Sequence, residues 1–227
     1  MITIRPAEER GHTHIDWLDS RHSFSFGDYY DPEQMGVSAL RVINDDHVAP
    51  GAGFPPHPHR DMEIITYMLE GAIEHRDNTG GHCVLRAGEV QVMSAGRGIV
   101  HSEVNASSEE PLHLLQIWIL PHTQRVAPGY AQRAFPTSPG LCLLVSLDGD
   151  QDSLTIHQDA RLFRATLESA PITYEPDRHR NQYIHVARGS LTVNGEILNE
   201  GDAAVIQDEL TIVLESEDAE ALLFDLP

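Results

Sequence analysis

Apolar residues along this chain come in short runs, β-branched or alternating with polar ones, and each run stops at Gly, Pro, Asn or Asp. Ser38–Ile43, Glu63–Leu69, Glu89–Met93, Leu112–Ile119, Leu141–Val145, Tyr183–Val186, Leu191–Val193 and Leu210–Leu214 are the clearest. Side chains of an extended strand alternate between two faces, so this pattern fits strands bounded by tight turns. No stretch sustains the period of about 3.6 residues that marks an amphipathic helix. The chain is therefore expected to be all-β, with few and short helices.

Pro121, Pro128, Gly129, Pro136, Pro139 and Gly140 interrupt the pattern midway, a density of breakers that suits a linker between two cores. This places one unit at 1–128 and a second at 129–227. The halves resemble each other. Tyr67–Glu74 overlays Ile184–Thr192 with Gly71 on Gly189, and Leu85–Glu89 overlays Leu198–Asp202 with Gly88 on Gly201. A repeated unit of strand, Gly turn and strand points to two barrels in tandem.

Composition narrows the function classes. Of the 227 residues 41% are hydrophobic and 22% charged, and no apolar run approaches the roughly 20 residues of a spanning helix, so a soluble protein without membrane attachment is expected. Met1–Glu9 is acidic and lacks the apolar core of a signal peptide, which implies the cytoplasm. A net charge of −20 argues against direct nucleic-acid binding, which clustered Lys and Arg drive. Cys83 and Cys142 stand far apart, so they are read as buried spectators rather than a disulfide or thiolate site. Most of the 14 histidines are scattered singly, among them His22, His75, His157 and His185.

Two short segments are not scattered. His57-Pro58-His59 sets two imidazoles two residues apart, and His101-Ser102-Glu103 does the same with an imidazole and a carboxylate. In a strand that spacing sends both side chains to one face. On neighbouring strands of a barrel the four groups would converge. Three imidazoles and a carboxylate suit one borderline divalent transition ion, with iron foremost and nickel, manganese, cobalt, copper or zinc as alternatives. Calcium and magnesium, which prefer oxygen, fit poorly. The Gly96-Arg97-Gly98 turn beside the second segment can bring a cation near an anionic ligand, although such a turn is commonly only a turn. Ile117, Trp118 and Ile119 read as strand core; His113 and Gln116 are within reach of the cavity, although a satisfied core histidine is the preferred reading of His113.

Gly51, His57, His59, Glu63 and Gly71, followed by Gly98, His101 and Asn105, reproduce most of the two cupin motifs, G-x5-H-x-H-x3-E and G-x2-H-x3-N. Trp17–Phe26, Leu40–Asp46, His57–Glu63 and Ser94–Glu103 further resemble the pirin family, most strongly up to Trp118. The resemblance implies two cupin (double-stranded β-helix, jelly-roll) barrels. The cupin pattern makes Glu63 a ligand, whereas the pirin pattern makes Glu103 the ligand and leaves Glu63 holding an imidazole N–H. His57, His59, His101 and Glu103 are the preferred set, with Glu63 as the alternative.

By the overlays, His57, His59, His101 and Glu103 fall on Glu175, Asp177, Leu214 and Ser216, so no metal is expected in the second barrel, whose role would be structural. Four protein ligands leave positions open for an organic oxyanion, water or dioxygen. Among pirins the resemblance is to the bacterial quercetin 2,3-dioxygenases, and it implies cleavage of the heterocyclic ring of a flavonol by O2 with release of carbon monoxide. The metal would act as a Lewis acid and Glu103 as proton acceptor. The contrasting expectation is a non-enzymatic, metal-dependent regulator acting through protein partners. Other ring-cleaving dioxygenases or metal-dependent isomerases also suit a cupin site.

Overall fold

The computed structural model, which describes residues 1–227, is built almost wholly from strands. The first half holds β1 (Ile2–Arg5), β2 (Gly11–Ile15), β3 (Leu18–His22), β4 (Leu40–Val48), β5 (Gly53–His59), β6 (Glu63–Glu70), β7 (Ala72–Asp77), β8 (His82–Arg86), β9 (Glu89–Ser94), β10 (Ile99–Asn105) and β11 (Leu112–Ile119). After β12 (Gly129–Ala134) come β13 (Gly140–Ser146), β14 (Leu154–Thr155), β15 (Arg161–Leu167), β16 (Ile172–Tyr174), β17 (Asn181–Val193), β18 (Glu196–Asn199), β19 (Ala203–Ile206), β20 (Ile212–Glu215) and β21 (Ala219–Leu226). Two single-turn 3-10 helices, Ala7–Glu9 and Asp150–Asp152, complete the chain. None of its helices is long and apolar enough to cross a membrane.

The strands form two cupin barrels in tandem. In the N-terminal barrel a seven-stranded sheet, ordered β12-β9-β6-β11-β4-β3-β2, faces a four-stranded sheet, β5-β10-β7-β8. The C-terminal barrel is one ten-stranded system around β17 and β21. The sheets do not respect a cut at residue 128. β12 lies beyond it yet pairs with β9, and β1 pairs with β19 of the other barrel. The breaker-rich stretch thus contains a strand of the first barrel. The expected strands Tyr183–Val186 and Leu191–Val193 are one strand, β17, because a register shift between Val186 and Arg188 absorbs Ala187 and the pairing resumes through Gly189 opposite Ala219.

The repeat is visible in the backbone. Gly88 and Gly201 hold φ of 82° and 81°, the left-handed region where an L side chain is strained, at corresponding turns.

Core packing explains the sequence pattern. Ile65, Tyr67, Leu115, Ile117, Leu144, Tyr183, Leu222 and Phe224 belong to a 25-residue apolar cluster drawn from both barrels, so the seven-stranded sheet is covered on its outer face. Its inner face carries Met68, Leu112 and Leu114. Buried on both faces, β6 reads as a nearly continuous apolar run, interrupted only by Thr66 between Ile64 and Leu69, rather than as an alternation. Seventeen apolar residues, Leu214 among them, fill the C-terminal barrel. The N-terminal barrel instead divides its interior hydrocarbon into groups of seven and four residues.

Candidate metal centre

The space between those groups is a cavity of about 410 Å³, lined on one side by His57, His59, His101 and Glu103. β5 and β10 pair antiparallel with His57 opposite His101. The donor atoms of His57, His59 and His101 all lie within 4.8 Å of one another. Ring centroids are 4.8 Å apart for His57 and His59, 4.4 Å for His57 and His101, and 4.9 Å for His59 and His101. Glu103 joins through His101: its carboxylate, His101 and His75 form a second group within the same limit. Burial and the neighbouring imidazoles push His101 down to about 3 and His59 to about 4, so both rings are neutral with a nitrogen lone pair to give.

Surrounding groups set which nitrogen is bare. His57 Nδ1 donates to the Pro55 carbonyl at 2.8 Å, leaving Nε2 free. For His101 the control is longer. Asp77 Oδ1 accepts from the Thr79 and Gly81 N–H groups, and its Oδ2 accepts from His75 Nε2 at 3.0 Å. These donors hold Asp77 ionised, down to about 2, against its own burial. With its proton on Nε2, His75 offers a bare Nδ1, which accepts from His101 Nδ1 at 3.3 Å. His101 Nε2 is then left with a lone pair, buried and without a partner.

Glu103 is held from the opposite side. Tyr130 shares its hydroxyl proton between Gln132 at 2.7 Å and Gln91 at 3.0 Å, and Gln91 donates to Thr66 at 3.2 Å, Thr66 to Gln116 at 3.3 Å, and Gln116 to Glu103 Oε2 at 3.1 Å. The relay runs in one direction, which strengthens each bond. Tyr130 comes from β12, so that strand's place in this sheet serves the site. Glu103 Oε1 has no partner, and burial pushes the carboxyl up to about 7.

A buried imidazole nitrogen and a buried carboxylate oxygen without partners would be costly in a purely structural interior. Beside two further imidazoles they form a donor set of three nitrogens and one oxygen, which fits a divalent transition ion.

Glu63 points elsewhere. It is buried, accepts from Ser94 at 2.6 Å and meets His157 Nδ1 at 3.2 Å. The imidazole it holds belongs to the C-terminal half rather than to the cluster, because β6 turns this side chain toward the partner barrel. Arg97 does not line the cavity, and its N–H bonds to the Val126 carbonyl. His113 pairs with Asp45 at 2.6 Å and stacks on His47 on the outer face of the sheet.

Trp118 corrects its reading as strand core. Ile117 and Ile119 face the other barrel, so alternation turns Trp118 inward to the cavity, edge-on to His59 at 5.0 Å and to Phe26 at 5.3 Å. The remaining wall carries Leu18, Phe54 and Ile64 with a polar group of Thr13, Ser20, His22, Asn44 and Asp46. Sequence reasoning missed His75, Asp77, Asn44 and Asp46. Each pair is two residues apart on a strand, the signal already used for His57 and His59.

A family model described as Pirin matches residues 3–119, and one described as the quercetinase C-terminal cupin domain matches residues 143–226. The chain is 49% identical to the protein named quercetin 2,3-dioxygenase of Escherichia coli strain K12, over 100% of this chain and 99% of that one. It is 45% identical to a pirin-like protein of Caulobacter vibrioides, over 99% of each. Among solved structures, the bacterial pirin YhhW of Escherichia coli in complex with nickel(II) superposes with a TM-score of 0.97 at 49% identity, over 100% of this chain and 99% of that one. A mutant of the Bacillus subtilis oxalate decarboxylase OxdC, 12% identical with a TM-score of 0.66, covers 98% of this chain and 76% of its own and shares the fold alone.

Proposed function

The chain belongs to the pirin family, and from that membership we propose that it is a metal-dependent dioxygenase that opens the heterocyclic ring of flavonols such as quercetin with O2, releasing carbon monoxide. The observation that carries the reading is one cavity in which a histidine and carboxylate cluster adjoins an aromatic wall. Relatives named quercetin 2,3-dioxygenase along the whole chain support it.

His57, His59, His101 and Glu103 would hold one divalent ion. When bound, such an ion supplies Lewis acidity toward a ligand oxygen and, if redox-active, electron transfer with dioxygen. The chain's own groups do the rest. The Asp77–His75 pair and the Pro55 carbonyl keep His101 and His57 in the donating tautomer. Gln116 aims Glu103 and leaves Oε1 to bind the ion or, on loosening, to take a hydroxyl proton. Phe26, Phe54, Ile64 and Trp118 offer flat apolar surface for fused rings and exclude water, and about 410 Å³ falls within the range of small-molecule pockets.

The test adds quercetin under air to protein loaded with iron, nickel or copper, and follows loss of flavonol absorbance together with oxygen uptake and carbon monoxide. Coupled loss of flavonol and oxygen is expected. No turnover with any of these ions overturns the dioxygenase reading and favours the regulator, whose protein partners in a pull-down would then change on metal removal.

A further inference from the structure

Four of the buried side-chain atoms without a hydrogen-bond partner belong to residues lining the cavity: His101 Nε2, Glu103 Oε1, Asp46 Oδ1 and Trp118 Nε1. The first two are accounted for by the proposed ion. Asp46 and Trp118 are not.

Asp46 sits on β4 with only 2% of its surface exposed. It shares the inner face of the strand with Asn44 and Val48, while Ile43 and Asp45 face the other barrel. Asn44 is engaged, its Oδ1 accepting from His22 Nδ1 at 2.7 Å. Ser20 stands opposite Asp46 in the register of β3 and β4. No Lys or Arg lines the cavity, so nothing there neutralises this carboxylate. A buried carboxylate oxygen left bare costs free energy that a packed wall would avoid. The N–H of Trp118, a residue of the same cavity wall, is likewise buried without an acceptor. One unused acceptor and one unused donor on residues of a wall that also carries the rings of Phe26, Phe54 and Trp118 fit a flat aromatic ligand with a hydroxyl to give and an oxygen to receive.

We propose that Asp46 selects the ligand of this cavity by accepting a hydrogen bond from a phenolic hydroxyl, while Trp118 donates to a second ligand oxygen. This deepens the dioxygenase reading and rests on it. A hydrogen bond from O–H to a carboxylate is among the strong ones, and it discriminates because an analogue without the hydroxyl leaves the buried oxygen bare. Burial, opposed by the Ser20 hydroxyl and reinforced by the Asp45 and Glu103 charges, pushes Asp46 up to about 7, and a further hydroxyl donor on the unpartnered oxygen offsets that burial.

The experiment measures binding of quercetin and of unsubstituted flavone to nickel-loaded full-length protein, without oxygen so that nothing turns over. Asp46→Leu should bind quercetin about tenfold or more weakly while binding flavone at least as tightly as wild type, because Leu fills the site without an acceptor. Asp46→Asn, which keeps a neutral acceptor, should fall between. Unchanged flavone binding shows that both variants are folded. Equal weakening of both ligands, or of neither, overturns the role of Asp46 while wild type still binds quercetin. Failure of wild type to bind quercetin overturns this assignment and the flavonol reading together.

Discussion

Replacing Asp77 by Asn should weaken metal binding without touching a ligand. Asp77 Oδ1 accepts from the N–H groups of Thr79 at 2.7 Å and Gly81 at 3.1 Å, so an Asn must place its oxygen there. Its NH2 then faces His75 Nε2, which now accepts where it once donated. The proton of His75 moves to Nδ1, and His101 Nδ1 becomes the acceptor of that pair. His101 Nε2 thereby acquires a hydrogen where a lone pair is needed. An isosteric Asp to Asn change beside a histidine acts by this wrong-tautomer route in other enzymes. Losses on altering the groups that orient a metal ligand run to about 10–100-fold, or about 1.4–2.8 kcal/mol. Competition against a chromophoric chelator with nickel or zinc measures the affinity. Nitrogen NMR of the metal-free protein reads the His101 tautomer directly, and urea unfolding checks that the fold is intact. Affinity within about twofold of wild type, with an unchanged tautomer, would refute the relay.

Three further outcomes are expected. The double substitution His57→Ala and His101→Ala should abolish metal retention by elemental analysis, since two of the three clustered imidazoles go; full retention would mean other residues bind the ion. Gly53→Ala would drive a Cβ into the Glu103 carbonyl oxygen and to 2.6 Å from Val104 Cα, prising β5 from β10. It should cost about 1–3 kcal/mol in urea unfolding and weaken metal binding as His57 leaves His101. His185 is fully buried with neither ring nitrogen partnered, and burial lowers it from 6.5 to about 4. A histidine with a depressed folded pKa destabilises as pH falls below 6.5, because the unfolded chain takes the proton first. At pH 5 the penalty is about 2 kcal/mol, that is, about 1.5 units at about 1.4 kcal/mol each. His185→Leu should therefore lose about 2 kcal/mol less than wild type between pH 7.5 and pH 5, and equal losses would contradict this.

Strand content, the tandem barrels and the three histidines were legible because each rests on local spacing. Two imidazoles two residues apart share a face whatever the rest of the fold does, and Gly88 and Gly201 occupy equivalent turns because each needs a left-handed backbone. What escaped depends on register across the sheet. Asp77 meets His101 only because β7 pairs with β10 with those residues opposite. Trp118 reads as core by composition, and only the apolar contact between barrels shows that Ile117 and Ile119 own the outer face. Glu63 fits the general cupin pattern, yet its carboxylate is taken by Ser94 and His157 across the barrel boundary. Tyr130 was hidden because its proline-bounded surroundings read as linker, whereas β12 closes the first sheet beside β9.

The division of labour between the barrels follows from what each puts inside. Leu214, at the position aligned with His101, belongs to a continuous apolar filling, so the C-terminal barrel has hydrocarbon where the other has a cavity. The N-terminal barrel gives up that filling: its interior apolar groups are small and separated by buried polar atoms, several of them unpartnered. Such an interior contributes less hydrophobic stabilisation, at about 25 cal/mol per Å² of apolar surface buried, than a filled one of equal size. The missing share is supplied outside the barrel, where the largest apolar cluster joins the two sheets face to face. Reciprocal strands tighten the joint, β1 on the second barrel and β12 on the first. The second barrel therefore needs no ligand of its own to matter for the site. It covers the outer face of β4, β6 and β11, whose inner faces carry Asp46, Thr66, Gln116 and Trp118, and so allows the first barrel to remain hollow.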